Sequence, residues 1–290
     1  MGAVKTLTAP SWEDLADRQQ QLIARRQNEP FVRAVLEGAF ATARAEDNPI
    51  RGNLVATAMR ELVTHLLHSM APDERVEACP WYVATPGLNG PTRAQRASYI
   101  TQGGLSDAFV ADALGIEPKE ASKPLTDAMA QLNKLTHVRP NTVLHAEEEI
   151  KNLLASLMGE IDALLDAADE CRRQVEIKIR EHVDQAVIDL LMAEAIDDLD
   201  ILSSHTRIEE QESESIEVVD LDENIVTLSV EGRVYVELQY GSDGDVDRRE
   251  GAVMSDSFPY RATLQSSVNS PFQFSEDSID LEVDTSEFYE

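Results

Sequence analysis

The stretch QLNKLTHVRPNTVLH, residues 131–145, divides the chain. Upstream of it, apolar residues recur every three or four positions in short bursts separated by proline, glycine and capping residues. Downstream, one such pattern runs on for about sixty residues and then gives way to strict alternation. Pro140 lacks a backbone N–H and disfavours helix at Arg139, so the stretch reads as a helix end, a break and a new helix start. It also gathers His137, Arg139 and His145, the densest group of side chains able to hold a phosphate and move protons.

The upstream part predicts a helical domain over residues 1–145. Ser11 with Asp14 forms a capping-box pattern ahead of one helix, and Pro30 opens the next. Arg18, Arg25, Arg26 and Arg33 line this region, either as a solvated face or as a phosphate patch. A strong amphipathic helix follows over residues 53–70, with Leu54, Ala58, Leu62, Val63 and Leu66 as its stripe. Arg60 and His65 lie five positions apart, about 140° around that helix, and do not share a face. Glycine and proline mark residues 79–91 as a loop, with Trp81 and Tyr82 as its anchors. Thr92 caps a further helix. Gly103-Gly104 then separates it from another capped by Ser106, a helix–turn–helix outline whose second member offers Asp107 and Asp112 where base reading needs donors. A helix over residues 122–137 completes the set.

From Thr142 the stripe Ile150, Leu153, Leu157, Ile161, Leu164, Ala168, Cys171, Val175, Val183, Val187, Leu190 and Leu199 predicts a long amphipathic helix or helical hairpin over residues 146–203. Unbroken from Thr142 to Leu202 it would reach ~90 Å at 1.5 Å per residue. It must then bend, break near residues 176–181 or pair with a second copy, and a homodimer seam is the preferred reading. Residues 204–270 alternate apolar and polar positions, which predicts four or five antiparallel strands with turns at 222–224 and 231–232. Residues 271–290 are acidic and read as a mobile tail. The fold class is therefore α+β: a helical domain, a long helix, a small antiparallel sheet and an acidic tail.

The formal charge is −29, and it is unevenly spread. Lys and Arg number 15 against 16 Asp and Glu over residues 1–145, 5 against 16 over 146–206, and 5 against 22 over 207–290. Phosphate binding rests on Lys and Arg, so any nucleic acid belongs on residues 1–145. No apolar run approaches the ~20 residues of a membrane span. The start of the chain lacks a basic-then-apolar leader, and its two cysteines, Cys79 and Cys171, lie far apart. A cytoplasmic setting without disulfide or zinc site follows as the expectation.

Three arrangements bear on chemistry. At the 131–145 junction, Arg139 would clamp a phosphate beside the free amides of the following helix, while His137 or His145 transfers a proton. That chemistry needs no cofactor if the nucleophile is an RNA 2′-hydroxyl; a divalent metal is the alternative. The blander reading has His137 and Arg139 meeting helix-end carbonyls and Glu147–Glu149 complementing the helix dipole. Glu176 and Lys178 form an E-x-K, but on a helix they diverge by about 200°. Asp243, Asp245 and Asp247 alternate as in a calcium loop, yet Arg248 and Met254 stand where glycine and glutamate are needed.

The spacing Arg139-x5-His145 looks like the Arg-x-His signature of HEPN-type ribonucleases, helical proteins that usually act as dimers, with Pro140 departing from the polar residue common there. More of the chain is covered by CPWY (79–82), TRAQR (92–96), QGGLSDAFV (102–110), LNKLTHVRP (132–140), VELQYGSDGDVDRREGA (236–252) and SDSFPY (255–260). Together these resemble a bacterial family described as predicted pPIWI-associating nucleases, encoded beside PIWI-like genes in conflict and defence systems. The resemblance implies a nuclease role against mobile DNA, a cytoplasmic setting and partner proteins from the same system. It assigns no residue a role. The competing reading is a non-catalytic assembly or sensor protein whose acidic second half docks a basic partner.

Overall fold

The computed structural model describes residues 9–193 and 197–289, so the reading of the chain's start falls largely outside the described residues. The chain forms two compact units. The first takes in the chain to Glu77, Tyr82–Thr101 and Glu117–Asp169; the second takes Ala78–Trp81, Gln102–Ile116 and the chain from Glu170. Where the sequence sets residues 146–203 apart, the division between units falls inside the long helix.

In the first unit, α1 (Trp12–Arg25), α2 (Pro30–Ala43) and α3 (Arg51–Met70) pack in succession, followed by α4 (Asp73–Ala78), α5 (Arg93–Gln102) and, after α6 (Asp107–Asp112) of the second unit, α7 (Pro118–Leu135). Ser11 and Asp14 cap α1 reciprocally, and Pro118 opens α7 four residues ahead of the expected start. The stripe of α3 is fully buried through Val55, Met59, Leu62 and Val63, whereas Leu54 is 42% exposed. Arg96 caps the end of α3: its guanidinium, buried to 3% exposure, donates to the Ala71 carbonyl and to the Asp73 carboxylate.

The long helix is α8 (Glu147–Ala193). It starts at Glu147 instead of Thr142, because the Thr142 hydroxyl is committed to the preceding turn, and it is helical throughout residues 176–181. Neither the expected break nor a hairpin is present there. Residues 194–196 fall outside the described residues, and α9 (Asp197–Asp200) follows them. The stripe offered to a second copy is covered by the chain itself. Ile150, Leu154, Leu157, Met158 and Ile161 are buried in the first unit, with Leu154 taking the place expected for the half-exposed Leu153. Cys171, Val175, Ile179, Val183 and Val187, all at 0% exposure, join the core of the second.

That core lies against a four-stranded antiparallel meander, β1 (His205–Leu221), β2 (Ile225–Tyr240), β3 (Ala252–Ser267) and β4 (Ile279–Val283), paired in chain order. Val226, Leu228, Val230, Val234, Val236 and Leu238 alternate inward at 0% exposure, while Thr227, Ser229, Glu231, Arg233 and Glu237 take the other face. The turn at 222–224 is present: Asp222 Oδ1 accepts the N–H groups of Asn224 and Ile225 at 2.7 Å each. The turn expected at 231–232 is not. Strand β2 runs straight through Gly232, because a Cβ there would stand 2.7 Å from the Tyr260 ring and 2.2 Å from the Glu212 carbonyl oxygen. The glycine lets the Tyr260 ring lie across the neighbouring strand, its hydroxyl bonded to Gln211 and Ser213. In the stretch expected as a mobile tail, β4 pairs with residues 260–264, Val283 opposite Tyr260.

Strand β1 ends the sheet, and α8 closes part of its edge. Glu176 accepts the Val218 N–H at 2.9 Å and Arg180 donates to the Ser213 carbonyl at 2.7 Å. In the same unit the Gly103-Gly104 pair meets the β1–β2 turn. Gly104 donates to the Asp222 carbonyl at 2.8 Å, and a Cβ on it would stand 2.2 Å from the Glu223 oxygen. Trp81 anchors its loop by donating to the Gly103 carbonyl at 2.8 Å. Burial, with the Glu223 and Asp222 charges, pushes the nearby Cys79 thiol up to about 12.

Gly232→Ala is therefore expected to destabilise the protein by about 1–3 kcal/mol, as overpacking does. Gly38→Ala, exposed within α2 with nothing inside 4 Å, should instead stabilise it by about 0.5–1 kcal/mol. Urea denaturation of both variants beside wild type checks the pair.

Candidate functional site

The 131–145 junction forms a pinned surface loop of the first unit. Its clamp is Asn53, near the start of α3 and 1% exposed. The Asn53 amide donates to the Leu135 carbonyl at 2.7 Å and the Thr142 carbonyl at 2.9 Å, and its Oδ1 accepts the Leu144 N–H at 3.3 Å. Gly52 brings the helix close enough that a Cβ would meet the Leu144 side chain at 2.4 Å. Within the loop, Thr142 Oγ1 accepts the Arg139 N–H at 2.9 Å and donates to the His137 carbonyl, and the Thr142 and Val143 amides both bond the Arg139 carbonyl.

This scaffold holds His137, Arg139 and His145 on one loop, all three exposed. His145 lies two residues ahead of α8, not within its first turn as expected, since Ala146 accepts the first helical N–H bonds. The first turn carries Glu147, Glu148 and Glu149, so the helix supplies its own negative charge at its positive end.

Glu147 is the centre of a second, more tightly built group. Its carboxylate accepts from Lys151 Nζ at 2.6 Å and from the Trp12 indole N–H at 2.9 Å. Those two hydrogen bonds, with the nearby Lys151 and Arg51 charges, hold its carboxyl below the usual range. The Arg44 guanidinium and the Lys151 ammonium each lie 5.1 Å from the Trp12 ring centre, and Phe40 meets the ring edge-on. Arg51 is only 8% exposed. Lys151 and Arg51 thus act on one carboxylate, close in sequence to the His145 loop, and Arg44 lies over the Trp12 ring that the same carboxylate binds. Sequence reading missed this group because its members come from α1, α2, α3 and α8, with no spacing to connect them.

The other candidates resolve differently. Arg25 is bound to Asp166 and Asp169 at 2.6 and 2.7 Å, Arg26 to Glu29, and Arg33 to Glu37 at 3.6 Å. These arginines are largely neutralised. Arg60 reaches Thr136 Oγ1 at 3.4 Å, while His65 pairs with Glu29 at 3.0 Å. Glu176 serves the β1 edge and Lys178 is exposed on α8. The aspartate loop folds as α10 (Asp243–Asp247), where the Asp245 carboxylate caps Ser242 and binds Arg248. Among the described residues no group of three or more His, Cys, Asp or Glu side chains is arranged to hold a metal ion, and no helix is long and apolar enough to cross a membrane.

The chain is α+β, with its helical unit and its acidic sheet unit sharing the long helix α8. Two family models, both described as predicted pPIWI-associating nuclease, match residues 24–161 and 168–289. The chain belongs to that family. No curated protein and no solved structure matches it.

Asn53→Ala should cost about 1–3 kcal/mol by leaving buried backbone groups unmet. It should also speed amide hydrogen exchange at Leu144 more than at the α8 core, read by mass spectrometry. Unchanged exchange at Leu144 would show that the loop is held by other contacts.

Proposed function

We propose that the chain is a nuclease component of a bacterial defence system and that the 137–145 loop faces the scissile phosphate. The observation that supports this reading is the pinning of His137, Arg139 and His145 on one exposed loop, in a chain whose family is described as nuclease. The group suits a strand that carries its own nucleophile. One histidine takes the proton of an RNA 2′-hydroxyl as its oxygen bonds to phosphorus. The other gives a proton to the departing 5′-oxygen as that P–O bond breaks. The Arg139 guanidinium offsets the charge gathering on the phosphoryl oxygens. The negative charge of the second unit favours the first as the strand's place.

A second reading rests on a different observation. Glu209, Glu210, Glu212, Glu214, Glu217 and Asp220 are all exposed along β1, a surface suited to a basic protein partner in a non-catalytic assembly.

Labelled single-stranded RNA and DNA incubated with the purified chain, in EDTA and in Mg²⁺, separate the two. The nuclease reading predicts RNA cleavage in EDTA that falls by about 10²–10⁴-fold in His145→Ala, the range for a lost general acid or base. Wild-type rates in His145→Ala would remove His145 from the mechanism. No cleavage in any condition would favour the assembly reading.

A further inference from the structure

Arg51 is a largely buried cation that feels the Glu147 charge but has no hydrogen-bond partner among the described residues. Its side chain sits at the start of α3 at 8% exposure, and among the described residues no hydrogen bond or ion pair reaches its guanidinium. Its nitrogens are not among the buried side-chain atoms left without a partner, so the guanidinium keeps a face to solvent that an anion can meet. The nearest carboxylate it senses, Glu147, is already committed to Lys151 and the Trp12 indole. Arg44 adds a third cation over the Trp12 ring. Three cations thus gather around Trp12 and Glu147 in a chain of net charge −29.

We infer that Arg51, Arg44 and Lys151 around Trp12 form a second phosphate-binding position, which takes a backbone phosphate of the same single strand whose scissile phosphate lies at the His145 loop. This rests on the proposed nuclease reading and extends it. The buried Arg51 supplies a fixed charge, Arg44 a mobile one at the rim, and Lys151 shares its charge between Glu147 and the phosphate. Trp12 reports occupancy, since a phosphate drawing Arg44 or Lys151 off its ring changes its surroundings.

The test uses the full chain and a fluorescein-labelled 2′-O-methyl RNA oligonucleotide, which lacks the free hydroxyl and stays intact. Binding is followed by anisotropy over a series of salt concentrations. Arg51→Gln is expected to weaken binding about tenfold and to reduce the slope of log K against log salt by about one. Its melting temperature should stay close to that of wild type, because the guanidinium makes no hydrogen bond to the described residues that the variant would lose. Arg51→Lys should recover part of the affinity, and Arg207→Gln, on β1, should match wild type. Wild-type affinity and salt slope in Arg51→Gln would overturn the proposal, as would a lowered melting temperature with unchanged binding. Inorganic phosphate shifting the Trp12 emission of Trp81→Phe protein as much as the oligonucleotide does would also overturn it, by making this a site for free phosphate. Because the oligonucleotide cannot be cleaved, the result is independent of His145. Cleavage lost in His145→Ala alongside undisturbed binding in Arg51→Gln would leave the nuclease reading standing and remove only this position.

Discussion

One helix carries apolar residues along its whole described length, and each part of that stripe must be covered. In α8 the residues from Ile150 to Ile161 are buried in one unit and those from Cys171 to Val187 in the other. Burying a Val, Leu or Ile side chain contributes about 1.5–3 kcal/mol, so both units depend on the same element for a large share of their cores. The sheet's inward row from Val226 to Leu238 shares one core with the α8 residues from Cys171 to Val187. This also explains why one family model ends at residue 161 and the other begins at 168: the matched segments part within the helix, near the division between the units.

The first unit turns the start of α8 into a chemical surface. Asn53 satisfies backbone groups at both sides of the break at Pro140, so the loop needs no secondary structure of its own to be fixed. Local acids then complement the helix dipole, which leaves the surrounding arginines and Lys151 as the available positive charge. In the second unit the acids lie along β1 and on the outward face of the sheet, where they oppose both phosphate and strand-to-strand aggregation. The net charge is thus close to zero over residues 1–145 and strongly negative over residues 146–290.

Much of the fold was legible because it is written locally. The three-and-four spacing of α3 and α8, the caps at Ser11, Thr92 and Ser106, and the period-two strands all depend on near neighbours in sequence. The errors share a cause. Gly232 was read as a turn because glycine usually marks one, whereas here it makes room for Tyr260, 28 residues further on in β3. The acidic end was read as a tail because pairing of β4 with residues 260–264 leaves no local signature. The apolar stripe of α8 was read as a candidate seam because a stripe does not announce that its own chain will cover it, as it does from Ile150 to Ile161 and from Cys171 to Val187. The candidate site was legible only as a run of residues: His137, Arg139 and His145 stand together in sequence, while Asn53, which pins their loop, and the Trp12, Arg51 and Glu147 group at the start of α8 come together only through tertiary packing.

The central claim is that nucleic acid meets the first unit at the start of α8 and avoids the sheet. Photocrosslinking to a single-stranded RNA carrying 4-thiouridine, followed by digestion and mass spectrometry of the adducts, tests it most directly. The account predicts adducts on peptides containing Trp12 and residues 137–151. Adducts confined to residues 205–289 would contradict it.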